Sequence, residues 1–232
     1  MKQLLFILTF LFLVGCTNDQ VNTSDTNHPP GESSSETLNN SNESEDESDE
    51  VTENDVDYSN FFLPDGSTAH FLGDGNEFAT YTVYTKWLSD RYVSIVEDNG
   101  GLAMLKIYRV MDEYDKIDKV YEEPIEGLPS EVQYPSVDEL NNLPLIESYL
   151  NGPIEVGTEI GKWKIAEIET TLETPYQTFE DVFVLEEETE DFINRKYFVE
   201  GFGEVKREAI MHIEGEDDYI VTSTLEKIDS TK

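Results

Sequence analysis

The sequence predicts a mainly β domain: a curved antiparallel sheet or partly open barrel built from hairpins, with at most one or two short helices. Three observations point there. From residue 78 onward, runs dense in Thr, Tyr, Val and Phe alternate at period two. Turns centred on glycine and asparagine separate them at hairpin spacing. A helix start signal stands out at one place only, near residue 136.

Taken in order, residues 78–88 put Tyr81, Val83 and Trp87 on one face of a strand. Residues 92–96 and 102–110 flank Asn99-Gly100-Gly101, a turn whose residues tolerate positive φ. In the second of these strands Ala103, Leu105, Ile107 and Met111 share a face, with Lys106 and Tyr108 opposite. Ser136, three residues before Glu139, forms a capping-box pattern ahead of Leu140 and Leu143. Pro144 limits that helix to about two turns, because proline cannot continue the hydrogen-bond ladder. Residues 162–172 and 178–186 join across Thr174-Pro175, residues 195–199 and 205–213 join across Gly201 and Gly203, and residues 220–228 close the chain. Several strands are apolar on both faces. That suits a sheet that curls round a core or carries a covering segment.

The N-terminal third has a different composition. Lys2 and the apolar run from Leu4 to Val14 form a leader too short to span a bilayer, which takes about 20 apolar residues. It ends in Leu13-Val14-Gly15-Cys16, which contains the one cysteine of the chain. LVGC resembles the lipobox of bacterial lipoproteins. The resemblance implies cleavage between Gly15 and Cys16 and a diacylglycerol on the Cys16 sulfur, an anchor at the extracellular face of the cell membrane. From Thr17 to Asn60 there are 13 acids in 44 residues and no Lys or Arg. Such a stretch cannot bury enough apolar surface to offset its ordering entropy, so it reads as an extended tether. The expected division is therefore a signal peptide (1–15), a lipidated cysteine with an acidic tether (16–60) and a β-rich extracellular domain (61–232).

Charge and histidine content narrow the chemistry. The formal net charge is -36, from 51 acids and 15 bases. Setting aside Lys2 and the 13 tether acids leaves 38 acids against 14 bases, a net of -24. Such a surface repels nucleic acid and anionic lipid, and admits a basic envelope protein as partner. His70 and His212 are the two histidines of the expected domain, and nothing in their spacing makes a metal site. No HExxH, GxSxG or phosphate-binding glycine loop occurs. No cofactor, metal or catalytic residue is expected, and the domain is expected to be a monomer.

Two segments resemble known patterns. Residues 61–101 open with an F-P-G pattern, continue through the glycine-rich turn at Gly73, Gly75, Asn76 and Glu77, and reach the Asn-Gly-Gly hairpin. Residues 156–207 carry VGTEIGKW, ETPYQTFEDVFVLEE and YFVEGFGEVKRE in order. The first is similar to the start of an uncharacterised family of lipoproteins from low-GC Gram-positive bacteria, and the second resembles a pattern found in many secreted β-sheet proteins. Tyr176-Gln177 stands where the common form has Ala-Gly, and Glu200 where proline is usual. The resemblance implies a curved antiparallel sheet and an envelope location, and brings no activity or catalytic residues.

Aromatic residues are the remaining resource. Tyr81, Trp87, Tyr108, Trp163 and Tyr197 are the candidate binding residues, on the idea that a concave aromatic sheet holds a hydrophobic ligand. The same residues equally serve as core of a β domain without disulfides. Three readings stay open: a non-enzymatic module that binds a ligand or partner, an envelope hydrolase using Asp or Glu on glycan or lipid, and a structural or surface-charge protein.

Overall fold

The structure is a computed structural model and describes residues 56–230. The leader, Gly15, Cys16 and the acidic stretch up to Asp55 lie outside the described residues. Twelve strands form one antiparallel sheet: β1 (Thr68–Asp74), β2 (Tyr81–Trp87), β3 (Tyr92–Asp98), β4 (Ala103–Met111), β5 (Lys116–Ile125), β6 (Glu147–Asn151), β7 (Glu159–Ile160), β8 (Trp163–Glu173), β9 (Thr178–Glu188), β10 (Phe192–Val199), β11 (Gly203–Met211) and β12 (Tyr219–Asp229). Each strand pairs with its neighbour in sequence except at one point. β6 and β7 are the two edges, and β12 instead pairs with β1, from Thr68 opposite Asp229 to Asp74 opposite Thr222. The result is a nearly closed 12-strand barrel with very short helical turns.

The hairpins follow local chemistry. At the β3–β4 turn the Asn99 side chain accepts from the Gly101 and Leu102 amides at 3.0 and 2.8 Å, while Asp98 accepts from Gly100 at 2.8 Å. Strands β1, β5, β6 and β7 escape the sequence reading. In β5 the charges of KIDKVYEE obscure the pattern, yet Asp118 and Lys119 are buried there. Asp118 meets Lys116 at 2.9 Å, and Lys119 meets Glu122 at 2.7 Å and Glu147 at 3.0 Å. Ion pairs within β5, and from Lys119 across to Glu147 of β6, let a charged strand sit in a covered sheet.

Both faces of β2–β5 are indeed covered. Inside, Val93, Tyr108, Val110 and Ile117 pack with Ile165, Phe183, Leu185 and Phe198 from the other half. Outside, Tyr92, Val96, Leu105, Ile107 and Val120 lie under the β5–β6 connection. That connection holds α1 (Val137–Leu140), where the expected capping box forms: Glu139 accepts from the Ser136 amide at 2.8 Å and Ser136 Oγ accepts from the Glu139 amide. Leu140 is fully buried, a burial that contributes about 2 kcal/mol.

The folded part begins before residue 61. Asp57 caps a 3-10 turn, Tyr58–Phe61, by accepting from Ser59 at 2.9 Å. Tyr58 is 2 % exposed, and Phe61 and Phe62 are buried with it. Phe61 meets Phe183 edge to face at 5.5 Å, and Phe62 packs on Trp87, Tyr108 and Tyr149. These rings plug one end of the barrel. The β10–β11 turn grips the plug from outside: the Gly201 amide donates to Asn60 at 2.8 Å, and a Cβ on Gly203 would fall 2.3 Å from the Phe61 carbonyl oxygen.

Gly201 and Gly203 both have positive φ, but space around Gly201 is open. Gly201→Ala should therefore cost about 1 kcal/mol, the left-handed backbone penalty alone. Gly203→Ala adds a backbone clash and should cost about 3 kcal/mol or more. Urea unfolding of both variants checks the difference; equal costs would mean the plug yields to the turn.

Candidate functional site

Alternation along the strands decides which side chains enter the barrel. On β11 and β12, Arg207 lies opposite Ser223 and Ala209 opposite Val221. On β10, Lys196 lies opposite Arg207, and Asn194 opposite Ala209. On β2–β4, Tyr81, Val83 and Thr85 share the interior with Ile95, Glu97, Lys106 and Tyr108. The interior thus changes character along its axis. It is apolar at the plugged end and charged toward the end that holds the β7–β8 hairpin.

Among the described residues, two cavities stand out in it. The inner one, about 90 Å³, is lined by Phe61, Phe71, Tyr81, Thr85, Tyr149 and Leu225 among others. The outer one, about 280 Å³, is lined by Lys162, Trp163, Glu187, Asn194, Val221 and Ser223 among others. Lys106, Lys196 and Arg207 border both. The Lys162 side chain is 63 % exposed, so the outer cavity reaches solvent beside the β7–β8 hairpin.

Arg207 organises the boundary. Its guanidinium donates to Glu97 through two bonds of 3.0 and 3.1 Å and to Glu204 at 2.5 Å. The same group lies over the Tyr81 ring, 4.4 Å from its centroid, and that ring stacks on Phe71 at 4.5 Å. Lys106 adds a third cation-to-carboxylate contact, to Glu97 at 3.2 Å. Burial works to raise the Glu97 carboxyl, but Arg207 and Lys106 prevail and hold it at about 2. Burial pushes the phenols of Tyr81, Tyr108 and Tyr149 well above the usual range, so all three act as neutral groups.

The other acids at the cavities are engaged as well. Glu187 meets Lys162 at 3.0 Å and accepts from Asn194 at 3.2 Å. Glu208 accepts from Lys206 at 2.6 Å and from the Tyr197 hydroxyl at 2.8 Å. Despite partial burial, those bonds hold Glu208 below the usual carboxylate range. Glu97 and Glu208 are thus shifted in the direction opposite to that of a general acid, which needs a raised pKa. Lys196 differs from every neighbour. Its side chain makes no hydrogen bond or ion pair among the described residues, and its ammonium rests on the Trp163 ring at 4.7 Å and the Tyr149 ring at 5.6 Å.

Of the five candidate aromatics, the structure brings Tyr81, Tyr108 and Trp163 to the interior. Trp87 packs on the plug and donates to the Leu63 carbonyl at 3.1 Å, so it is core. Tyr197 lies on the opposite face of β10 from Lys196, against Glu208 and under Lys206. His70 and His212 sit at opposite barrel ends, beside Asp229 and Asp218 respectively. The turn at Gly73 to Glu77 is structural: Asn76 accepts from the Phe78 amide at 2.8 Å, and a Cβ on Gly73 would strike Ala79 and Thr80. Sequence reasoning passed over Glu97, Lys196 and Arg207. The available signal was alternation, since Lys196 shares a strand face with Phe198.

No protein-family model and no curated protein sequence matches this chain. A protein of Bacteroides fragilis, assigned as exported and described as YmcC-like in fold, is similar in structure at 12% identity and a TM-score of 0.43, covering 73% of this chain and 98% of that one. So distant a likeness carries no argument about this chain.

The Arg207–Glu97 pair sets an acid limit on stability. Glu97 is depressed in the fold, from 4.5 to about 2, so its contribution is complete above 4.5 and is lost as pH falls toward 2. Glu97→Gln leaves Arg207 short of one buried partner and should cost roughly 3 kcal/mol at neutral pH. Urea midpoints across that pH range check both points. The wild type should lose stability more steeply than the variant, and parallel curves would show that Glu97 does not carry the effect.

Proposed function

We propose that this chain is an envelope lipoprotein, held at the extracellular face of the cell membrane by diacylglycerol on Cys16, whose barrel is a non-enzymatic module that captures a small molecule. The observation that carries the binding part is the outer cavity, which has an aromatic wall at Trp163 and a cation, Lys196, with no carboxylate partner among the described residues. An ammonium withdrawn from water without a counter-charge is unfavourable, and a ligand that supplies one relieves it.

The anchor rests on the leader and on the LVGC motif, and membership of the low-GC Gram-positive lipoprotein family belongs to the same reading. Two acyl chains give stable attachment where one is marginal. The acidic stretch from Thr17 then serves as a spacer. A neutral flexible chain of that length has a span of about 35–40 Å, and like-charge repulsion extends it. The binding module is thereby held off the bilayer, where its net negative surface would otherwise meet anionic headgroups.

Two experiments test this. Cys16→Ala should move the chain from the membrane fraction into the culture medium, and retention in the membrane would dismiss the lipid anchor. Native mass spectrometry of the chain purified from its own organism without detergent should show a bound small molecule at unit stoichiometry. Repeated recovery of the bare mass, from cells grown under several conditions, would argue against capture.

A further inference from the structure

From the arrangement around Lys196 we infer that the outer cavity takes a small amphiphile carrying one negative charge, a monocarboxylate whose head pairs with the Lys196 ammonium and whose apolar body lies inside the barrel. This rests on the capture reading above and names its ligand class.

The charge count points to an anion of one unit. Each other cation at the cavities is matched: Lys106 by Glu97, Arg207 by Glu97 and Glu204, Lys162 by Glu187, and Arg195 by Glu186 at 2.9 Å. The acids whose fields reach Lys196 are Glu204 and Glu147, and both are committed elsewhere, to Arg207 and to Lys119. Burial, with Arg207 and Lys106 nearby, draws the Lys196 ammonium below the usual lysine range. Two aromatic faces compensate it only in part, because a ring quadrupole is a weaker partner than a carboxylate.

The sign of the neighbours limits the ligand to one charge. Glu187 lines the same cavity and bonds the inward Asn194, so a second negative charge on the head would meet repulsion. A donor suited to an oxyanion is close by in the lining: the second N–H of the Asn194 amide, whose first bonds Glu187 at 3.2 Å. The lining also includes Trp163, Ala209 and Val221, and beyond Lys196 and Arg207 lie Phe71, Tyr81 and Leu225. A charged head with an apolar body fits this order of surfaces. A fully polar ligand leaves the apolar wall unused, and a neutral hydrocarbon leaves Lys196 uncompensated.

The test is calorimetry on the full chain carrying Cys16→Ser, with octanoate, octanol and octyl phosphate as probes. Octanoate should bind at least about tenfold more tightly than octanol, the difference a charge-assisted pair makes over an apolar contact. Lys196→Met should lower octanoate affinity to the level of octanol, and Lys196→Arg should keep the preference. Thermal unfolding of Lys196→Met should match or exceed the wild type, since a partly buried charge with no carboxylate partner is replaced by an apolar chain of similar length. Equal affinity of wild type for octanoate and octanol would overturn the charge assignment and leave capture standing. Tighter binding of octyl phosphate would overturn the single charge. Failure of all three probes to bind would overturn the amphiphile class. A neutral molecule recovered by native mass spectrometry would overturn this inference while supporting capture itself.

Discussion

Arg207 donates to both oxygens of Glu97 and to Glu204 from inside the barrel, and the strands it joins, β11 and β3, are 110 residues apart in sequence. The Arg207 side chain, 34 % exposed beside the cavities, is matched there by two carboxylates and the face of Tyr81. The constraint propagates. Because Arg207 holds Glu97 and Glu204, neither acid is free for Lys196. Because the guanidinium and Lys106 border both cavities, the apolar inner space is separated from the outer one by charge rather than by a packed wall.

The distribution of charge over the molecule follows from this. The chain after Asn60 carries 38 acids and 14 bases, yet five of those bases line the outer cavity. Most of the excess acid therefore faces solvent, where carboxylates are hydrated and individually worth little. The interior has near balance, where an unbalanced charge matters most. An acidic exterior around a cation-lined interior disfavours entry of a highly charged anion from solution. A ligand with a single charge and an apolar body meets the smallest electrostatic barrier on the way in.

Much of the architecture was readable because hairpins advertise themselves locally. Asn99-Gly100-Gly101, the glycines of the β10–β11 turn and the Ser136–Glu139 capping box each carry their own conformational logic, independent of distant partners. The strands that escaped lack it. β5 reads as a charged segment because its charges are matched partly within the strand and partly across to Glu147 of β6, a pairing invisible until register is known. Residues 57–60 read as the end of the tether, since Asp57, Ser59 and Asn60 dominate their composition, although Tyr58 packs in the core with Phe61. The candidate site was half readable. Aromatic content located Tyr81, Tyr108 and Trp163, but an aromatic residue looks the same whether it lines a cavity or fills a core, as Trp87 does. The decisive groups are cations, Lys196 and Arg207, and nothing in their sequence neighbourhood separates a cation facing the interior from one facing solvent until register is known.

Closure of the barrel explains why a cavity survives in that position. In a meander whose ends meet at β12 and β1, the ladder runs continuously past the charged side chains, so strand hydrogen bonds do not depend on filling the space between them. The apolar rings of residues 58–62 close one end and give the interior its hydrophobic stabilisation there. The opposite end has no equivalent plug among the described residues, and its lining of ion pairs is compatible with water. The two ends therefore divide the work: one secures the fold by burial, and the other stays polar and accessible at little cost to it. Lys196 sits where those regimes meet, close enough to solvent for an anion to arrive and deep enough for the pairing to count.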